Sequence, residues 1–200
     1  MFYVFIVIAY LLGSISPSII QGRLAGVDIK KEGSGNAGTT NTLRVLGKKA
    51  ALITLIIDIC KAVLAVFLGS TQGDLCSYIC AVAVFAGHIW PVYFGFKGGK
   101  GVATAFGMLI GLVPALVGVA FALFAAVFAC SNYISLGSIS AAAFLMVAVW
   151  FPILGTEGRA NLPQCVLVSA IAAFVIFKHR ANIGRLLSGT ESKIYLFKKT

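Results

Sequence analysis

The chain alternates between long apolar runs and short polar ones, and the apolar runs have the length of membrane spans. Charge-poor windows cover residues 1–21, 50–69, 75–90, 102–130, 135–154 and 162–178. At a rise of about 1.5 Å per residue, roughly 20 residues cross a hydrocarbon core about 30 Å thick. No charged residue lies between Lys100 and Glu157, a stretch too long for one helix or for the core of a small soluble domain. Residues 1–21 resemble a secretory signal in hydrophobicity but lack a positive start and an A-x-A cleavage site, so they read as a first span that is retained. The window 102–130 is too long for one upright helix and too short for two full ones, and Gly107, Gly111, Pro114 and Gly118 interrupt it. A break near Pro114 gives seven crossings. A re-entrant segment gives five. The expected architecture is an all-α polytopic integral membrane protein, one domain over 1–200, with seven transmembrane helices and five plus re-entrant segments as the alternative.

Charge orients this array. Lys and Arg number 16 against 6 Asp and Glu, and 14 of the 16 fall in residues 22–49, 91–101 and 178–200. The connections at 70–74 and 155–161 hold one Arg between them. Basic segments stay on the cytoplasmic side, so the N-terminus is expected outside and the C-terminus inside. A net charge of +10 would suggest nucleic acid on a soluble fold, but here the basic residues mark the ends of spans, and no nucleic-acid partner is expected. The five cysteines, Cys60, Cys76, Cys80, Cys130 and Cys165, are scattered through the spans without His or acidic neighbours to complete a metal site, and read as apolar filler. Asp58 and Lys61 stand three apart in the second span. Ionisable residues at such depth are costly and usually paired, so they read either as part of a functional site or as a neutralised pair that fixes helix packing.

Three basic segments carry more than a connection needs. In the first, Gly33, Ser34, Gly35, Asn36, Ala37 and Gly38 lead into Thr39, Thr40, Asn41 and Arg44. Glycines bring backbone N–H groups close to an anion, hydroxyls and amides add donors, and the helix that follows presents its positive end. Arg44 offers a planar two-point grip on phosphate. The spacing matches G-x-G-x-x-G, but there is no preceding strand or βαβ unit, so a dinucleotide fold is rejected. The second segment runs from Gly87 and His88 to Thr104 around Lys97, Gly98, Gly99, Lys100 and Gly101. It is not a Walker A loop, because three residues separate Gly95 from Gly99 and Lys100 precedes Gly rather than Ser or Thr. Attraction to anionic headgroups would explain its lysines but not the glycines between them. The third segment places His179, Asn182 and Arg185 at three-residue spacing, on one face if the last helix continues.

The residues that are missing narrow the chemistry. Six scattered acidic residues do not suit carboxylate-held Mg²⁺, so no metal and no cofactor is expected. Neither His88 nor His179 has an Asp five residues on, the pattern of acyltransferases that take acyl-CoA or acyl carrier protein. A transporter or channel for an anionic or phosphorylated solute is the competing class, but it predicts polar residues along a through-path, which the second half lacks.

Taken together and in order, the Gly33-to-Arg44 segment, the Gly-Gly-Lys-Gly segment and the segment of His179, Arg180, Asn182 and Ile183 resemble the three motifs of the bacterial acyl-phosphate:glycerol-3-phosphate acyltransferase family. The resemblance covers essentially the whole chain. It implies transfer of a fatty acyl group from acyl phosphate to the 1-hydroxyl of glycerol 3-phosphate, giving lysophosphatidic acid and inorganic phosphate without metal or CoA. It further implies Ser34, Arg44, Lys100, His179 and Asn182 as the catalytic set. Gly98, Gly99 and Gly101 would shape the glycerol-phosphate site, Lys97 occupies a motif position, and Glu191 matches a position with a structural role. Gly35, Asn36, Thr39, Thr40 and Asn41 are expected among the phosphate-binding residues. The implied setting is the bacterial inner membrane, with a cytoplasmic active site and a monomeric protein in the lipid bilayer.

Overall fold

The computed structural model describes residues 1–151 and 161–195. The end of the 135–154 window, residues 155–160 with Arg159, and Lys198 and Lys199 lie outside them. The described residues form helices α1 (Phe2–Ser14), α2 (Pro17–Leu24), α3 (Thr39–Ser70), α4 (Asp74–Ile89), α5 (Val102–Leu112), α6 (Pro114–Ser131), α7 (Ile134–Ala148), α8 (Leu162–Lys178) and α9 (Arg180–Leu187), with a 3-10 turn at Val92–Phe94 and no strand. Three segments are each long and apolar enough to cross a membrane: Thr39–Ser70, Asp74–Phe94 and Pro114–Ser131. Counting α1 with α2 and α8 with α9 as single bent spans makes five, and α5 and α7 are shorter apolar helices.

Prolines set two of the breaks. The first apolar window is not one continuous helix: it bends by 40° between α1 and α2, where Pro17 lacks the N–H that would bond to the Gly13 carbonyl four residues back. The long window breaks at Val113, which leaves helical geometry at φ −142° and ψ 59°, and Pro114 opens α6. A third interruption has a different cause. Gly47 in α3 stands at φ 84° and ψ −177°, a conformation essentially confined to glycine, and it separates residues 39–46, which carry Arg44, from the longer apolar remainder.

The chain divides into two compact units, Met1–Leu112 and Val113–Thr200. In the first, α1 packs on α3 and α4, and α3 also meets α2 and α5. The buried face of α3 is mostly small. The buried positions of α3 past Gly47 are Ala51, Thr54, Asp58, Lys61, Ala62, Ala65, Val66 and Gly69, whereas Ile53, Ile56, Leu64 and Phe67 face outward. Small side chains let helix backbones approach closely while lipid solvates the large ones. The tightest approach joins α1 to α4, where a Cβ on Gly13 would strike the Val84 carbonyl and one on Gly87 the Tyr10 carbonyl. In the second unit α7 packs against α6 and α8, around buried Val117, Ala120, Leu145, Val168 and Ala172. No disulfide joins the five cysteines, of which Cys76, Cys80 and Cys165 are buried.

Candidate active site

The first loop is built around Asn41. Its side chain is fully buried; the amide donates to the carbonyls of Ile29 at 2.9 Å and Glu32 at 3.0 Å, while its oxygen accepts from the Ser34 N–H at 2.8 Å and the Ser34 hydroxyl at 3.2 Å. Expected among the groups that touch phosphate, Asn41 instead directs both ends of its amide into its own loop. A neutral amide can do this because it carries donors and an acceptor on one planar group. Beneath the loop, Ile19, Ile29 and Ala37 form a small apolar core with Val45, Leu46 and Phe94. Ser34, Gly35 and Arg44 are exposed, and Asn36, Thr39 and Thr40 are half-buried. The Thr39 hydroxyl, in the first turn of α3, is buried with no hydrogen-bond partner in the protein.

The second loop turns back onto the end of α4. Gly98 N–H donates to the Ile89 carbonyl at 3.0 Å and Gly99 N–H to the His88 carbonyl at 3.3 Å. Gly99 is also where the two loops meet, because a Cβ there would collide with the Ala37 carbonyl and with His88 Nε2. Gly101 has φ +80° and lies against Phe85, so both conformation and space require glycine. The loop feeds into α5, whose first turn holds Thr104 with a buried hydroxyl that has no partner in the protein. Lys97 is exposed and Lys100 half-buried. Nearby, Lys30 donates to the Phe94 carbonyl at 3.3 Å and Arg23 stacks over the Phe94 ring at 5.1 Å. Burial lowers the Lys30 pKa; Asp28 pulls it back, while the charges of Arg23 and Lys97 add to the lowering. Cationic groups therefore gather around the two glycine loops, and their mutual repulsion favours an anion.

Within the second unit, α8 does not continue past His179. The chain bends by 53° there, and His179 caps both α8 and α9. Its Nδ1 lies 2.7 Å from the Val175 carbonyl. A carbonyl only accepts, so Nδ1 carries the proton, and in the neutral ring the lone pair is on Nε2. Asn182 and Arg185 share the expected face of α9, and Glu191 is what gathers them. Its carboxylate accepts from Asn182 Nδ2 at 2.6 Å, Arg185 Nε at 2.6 Å and the Ser135 hydroxyl at 2.8 Å. Burial by itself would raise the Glu191 pKa, but the bonds from Asn182, Ser135 and Arg185 outweigh it and hold the carboxyl below the usual carboxylate range. Ile194 N–H then donates to the Asn132 carbonyl at 2.9 Å, returning the tail to the start of α7.

Of the residues singled out in the sequence, Ser34, Asn41, Gly98, Gly99, Lys100 and Gly101 thus belong to two touching loops of the first unit. Arg44 follows in the first turns of α3. In the second unit, Asn182 joins Glu191 in one hydrogen-bonded cluster, and His179 stands at the bend between α8 and α9. Ser135, within the uncharged stretch between Lys100 and Glu157, carried no sequence signal for its bond to Glu191. His88 lay inside a recognised segment without a role, and only the fold shows its ring beside Gly99.

Comparison with known proteins matches the chain to one family. The family profile described as glycerol-3-phosphate acyltransferase matches residues 3–189. A glycerol-3-phosphate acyltransferase of Clostridioides difficile is 43% identical, with 94% of this chain and 93% of that protein covered. One from Trichlorobacter lovleyi is 44% identical over 92% of this chain and 93% of its own length. Among solved structures, the crystal structure of PlsY (YgiH), an integral membrane glycerol 3-phosphate acyltransferase, in its glycerol 3-phosphate form, superposes with a TM-score of 0.89 at 33% identity, covering 97% of this chain and 96% of that one. The lysophosphatidic acid form of PlsY gives a TM-score of 0.85, also at 33% identity, covering 97% of this chain and 95% of that one.

Proposed function

The chain belongs to the glycerol-3-phosphate acyltransferase family and acylates glycerol 3-phosphate to lysophosphatidic acid, and we propose that its acyl donor is an acyl phosphate, attacked directly by the 1-hydroxyl. The new ester C–O bond forms as the bond from the acyl carbon to the phosphate oxygen breaks, and phosphate leaves with the electron pair. A mixed anhydride has a good leaving group, so cations and donors that hold both phosphates in attack geometry can supply much of the catalysis. Arg44 and Lys100 bind and neutralise phosphate, Ser34 and Asn182 hydrogen-bond to substrate, and His179 takes the hydroxyl proton at Nε2. Gly98, Gly99 and Gly101 shape the glycerol-phosphate loop, with Lys97 at its edge and Gly35, Asn36, Thr39 and Thr40 lining the first. No metal or cofactor takes part.

One observation carries this reading: two glycine loops touch at Gly99 and Ala37, and each leads into a helix whose first turn holds an unpaired hydroxyl, Thr39 or Thr104. That arrangement suits phosphate, which accepts from hydroxyl, backbone N–H and cation alike. The named relatives are acyltransferases, which decides for an enzyme over a transporter.

We propose seven crossings, counting α1 with α2, then α3 to α8 singly, although α5 and α7 are shorter than a full span, with the N-terminus outside, the C-terminus and active site on the cytoplasmic face of the inner membrane, and a monomer as the working unit. The clustering of 14 of 16 basic residues in three segments supports this sidedness. A cysteine placed at Asn132, in a variant whose native exposed cysteines Cys60 and Cys130 are changed to Ser, should resist an impermeant thiol reagent in sealed right-side-out vesicles; labelling there would reverse that end of the map. For the activity, purified protein with palmitoyl phosphate, glycerol 3-phosphate and EDTA should yield lysophosphatidic acid and phosphate. Folded protein that makes neither would remove the proposed donor.

A further inference from the structure

The Asp58–Lys61 pair has a third member that the sequence did not reveal. Asp58, Lys61 and His88 are 1%, 5% and 5% exposed. Lys61 Nζ lies 2.8 Å from Asp58 Oδ1, 2.9 Å from the Gly13 carbonyl and 2.7 Å from the Ile15 carbonyl. His88 Nδ1 stands 3.3 Å from the same Asp58 oxygen and 3.2 Å from Lys61 Nζ. Four partners surround an ammonium group with three hydrogens. Its three hydrogen bonds run to the Gly13 and Ile15 carbonyls and to His88 Nδ1, which uses all the ammonium donors, while Asp58 Oδ1 has no hydrogen-bond partner in the protein and meets Lys61 as an ion pair. His88 Nδ1 therefore accepts from Lys61, and in the neutral ring the proton is on Nε2.

Nε2 is the atom that faces Gly99. The His88 carbonyl receives the Gly99 N–H, the His88 ring abuts Gly99 on one side, and the Ala37 carbonyl of the first loop abuts it on the other. A buried ion pair that only fixed helix packing would require no imidazole at the back of a phosphate loop. We propose that Lys61, held in place by Asp58, orients the His88 ring, and that this ring positions Gly99 and Lys100 for glycerol 3-phosphate. Asp58, Lys61 and His88 are positioning residues, acting through the loop and not on the reacting atoms. The inference rests on the reading of the Lys97 to Gly101 loop as the glycerol-phosphate site.

Initial rates measured against each substrate separately test this. In His88→Asn the amide oxygen can replace Nδ1 as acceptor from Lys61, but the shorter side chain cannot reach Gly99, and the Asp58–Lys61 ion pair stays intact. KM for glycerol 3-phosphate should rise about tenfold or more, while KM for palmitoyl phosphate and the melting temperature in detergent stay near wild type. Asp58→Asn should raise the same KM. The double variant should be no worse than the more impaired single variant, because the two residues lie on one line of action. Wild-type KM in His88→Asn, equal effects on both KM values, or additive losses in the double variant would overturn the proposal. Should Asp58→Asn not yield folded protein, His88→Asn decides alone. Lys100→Ala separates the two levels of argument: a wild-type KM for glycerol 3-phosphate in that variant would remove the loop reading itself, whereas a raised KM there with an unchanged His88→Asn removes only the inference.

Discussion

Residues 33–44 and residues 179–191 are each organised by one buried polar side chain, and the two are of opposite kinds. Asn41 is a neutral amide that donates to two carbonyls and accepts from Ser34. Glu191 is a carboxylate that only accepts, and its partners are three donors: Ser135, Asn182 and Arg185. The difference follows from what each must hold. A glycine loop offers backbone donors and acceptors together, which an amide matches; the tail presents only side-chain donors, which a carboxylate matches. The consequence is that the first clamp is indifferent to pH and the second is not. Neither clamp supplies the charge proposed to face the ligand, which in the first unit belongs to Arg44 and Lys100.

Variants can separate ligand-facing groups from clamps. The largest effect is expected from Lys100→Ala, which leaves both clamps whole: kcat/KM for glycerol 3-phosphate should fall about 10²–10³-fold, with little change in melting temperature. Asn41→Ala should do the reverse in kind. It leaves two carbonyls and the Ser34 N–H without their partner, at a cost of about 2–3 kcal/mol, visible as a lower melting temperature together with lost activity. Glu191→Gln keeps one acceptor oxygen and loses the charge opposite Arg185, for about 1–2 kcal/mol. Ser135→Ala removes a single bond to Glu191 and should cost about 1 kcal/mol, the smallest of the four.

The clamps also differ in their response to acid. The Glu191 pKa is depressed in the folded protein, so its contribution is complete above the unfolded carboxyl value of about 4.3 and is lost as pH falls through the lower folded value. Hydrogen exchange at the Glu191 and Ile194 amides should therefore accelerate in acid relative to Glu191→Gln measured at the same pH. Exchange in residues 33–41 should show no such acid-induced difference. Equal acid response at both clamps would erase the contrast.

The same contrast shows what the sequence made legible. The break at Pro114 could be read directly, because proline and glycine act locally; Pro17 gave the same signal but lay inside a window whose hydrophobicity alone suggested one span. The motif residues were visible because glycine, cation and hydroxyl recur within a few positions. Asn41 was legible as a polar residue of the first loop but not as its clamp, since an amide facing phosphate and one facing its own loop have the same local sequence. Ser135 and His88 depend on partners 56 and 27 residues away, and only the packing of helices brings such pairs together. The Asp58–Lys61 pair was visible as a cost that must be offset in lipid, while the Gly13 and Ile15 carbonyls that help offset it belong to the α1 break.

Direct acyl transfer from acyl phosphate to glycerol 3-phosphate at a cationic site leaves its signature in pre-steady-state phosphate release. Enzyme in EDTA is mixed with palmitoyl phosphate in the presence and absence of glycerol 3-phosphate, and phosphate and lysophosphatidic acid are quantified within the first turnover. Direct attack predicts that the two products appear together in equal amounts, with no enzyme-stoichiometric phosphate release when glycerol 3-phosphate is omitted. A phosphate burst without acceptor, with acyl label retained on the protein at Ser34 or elsewhere, would contradict it.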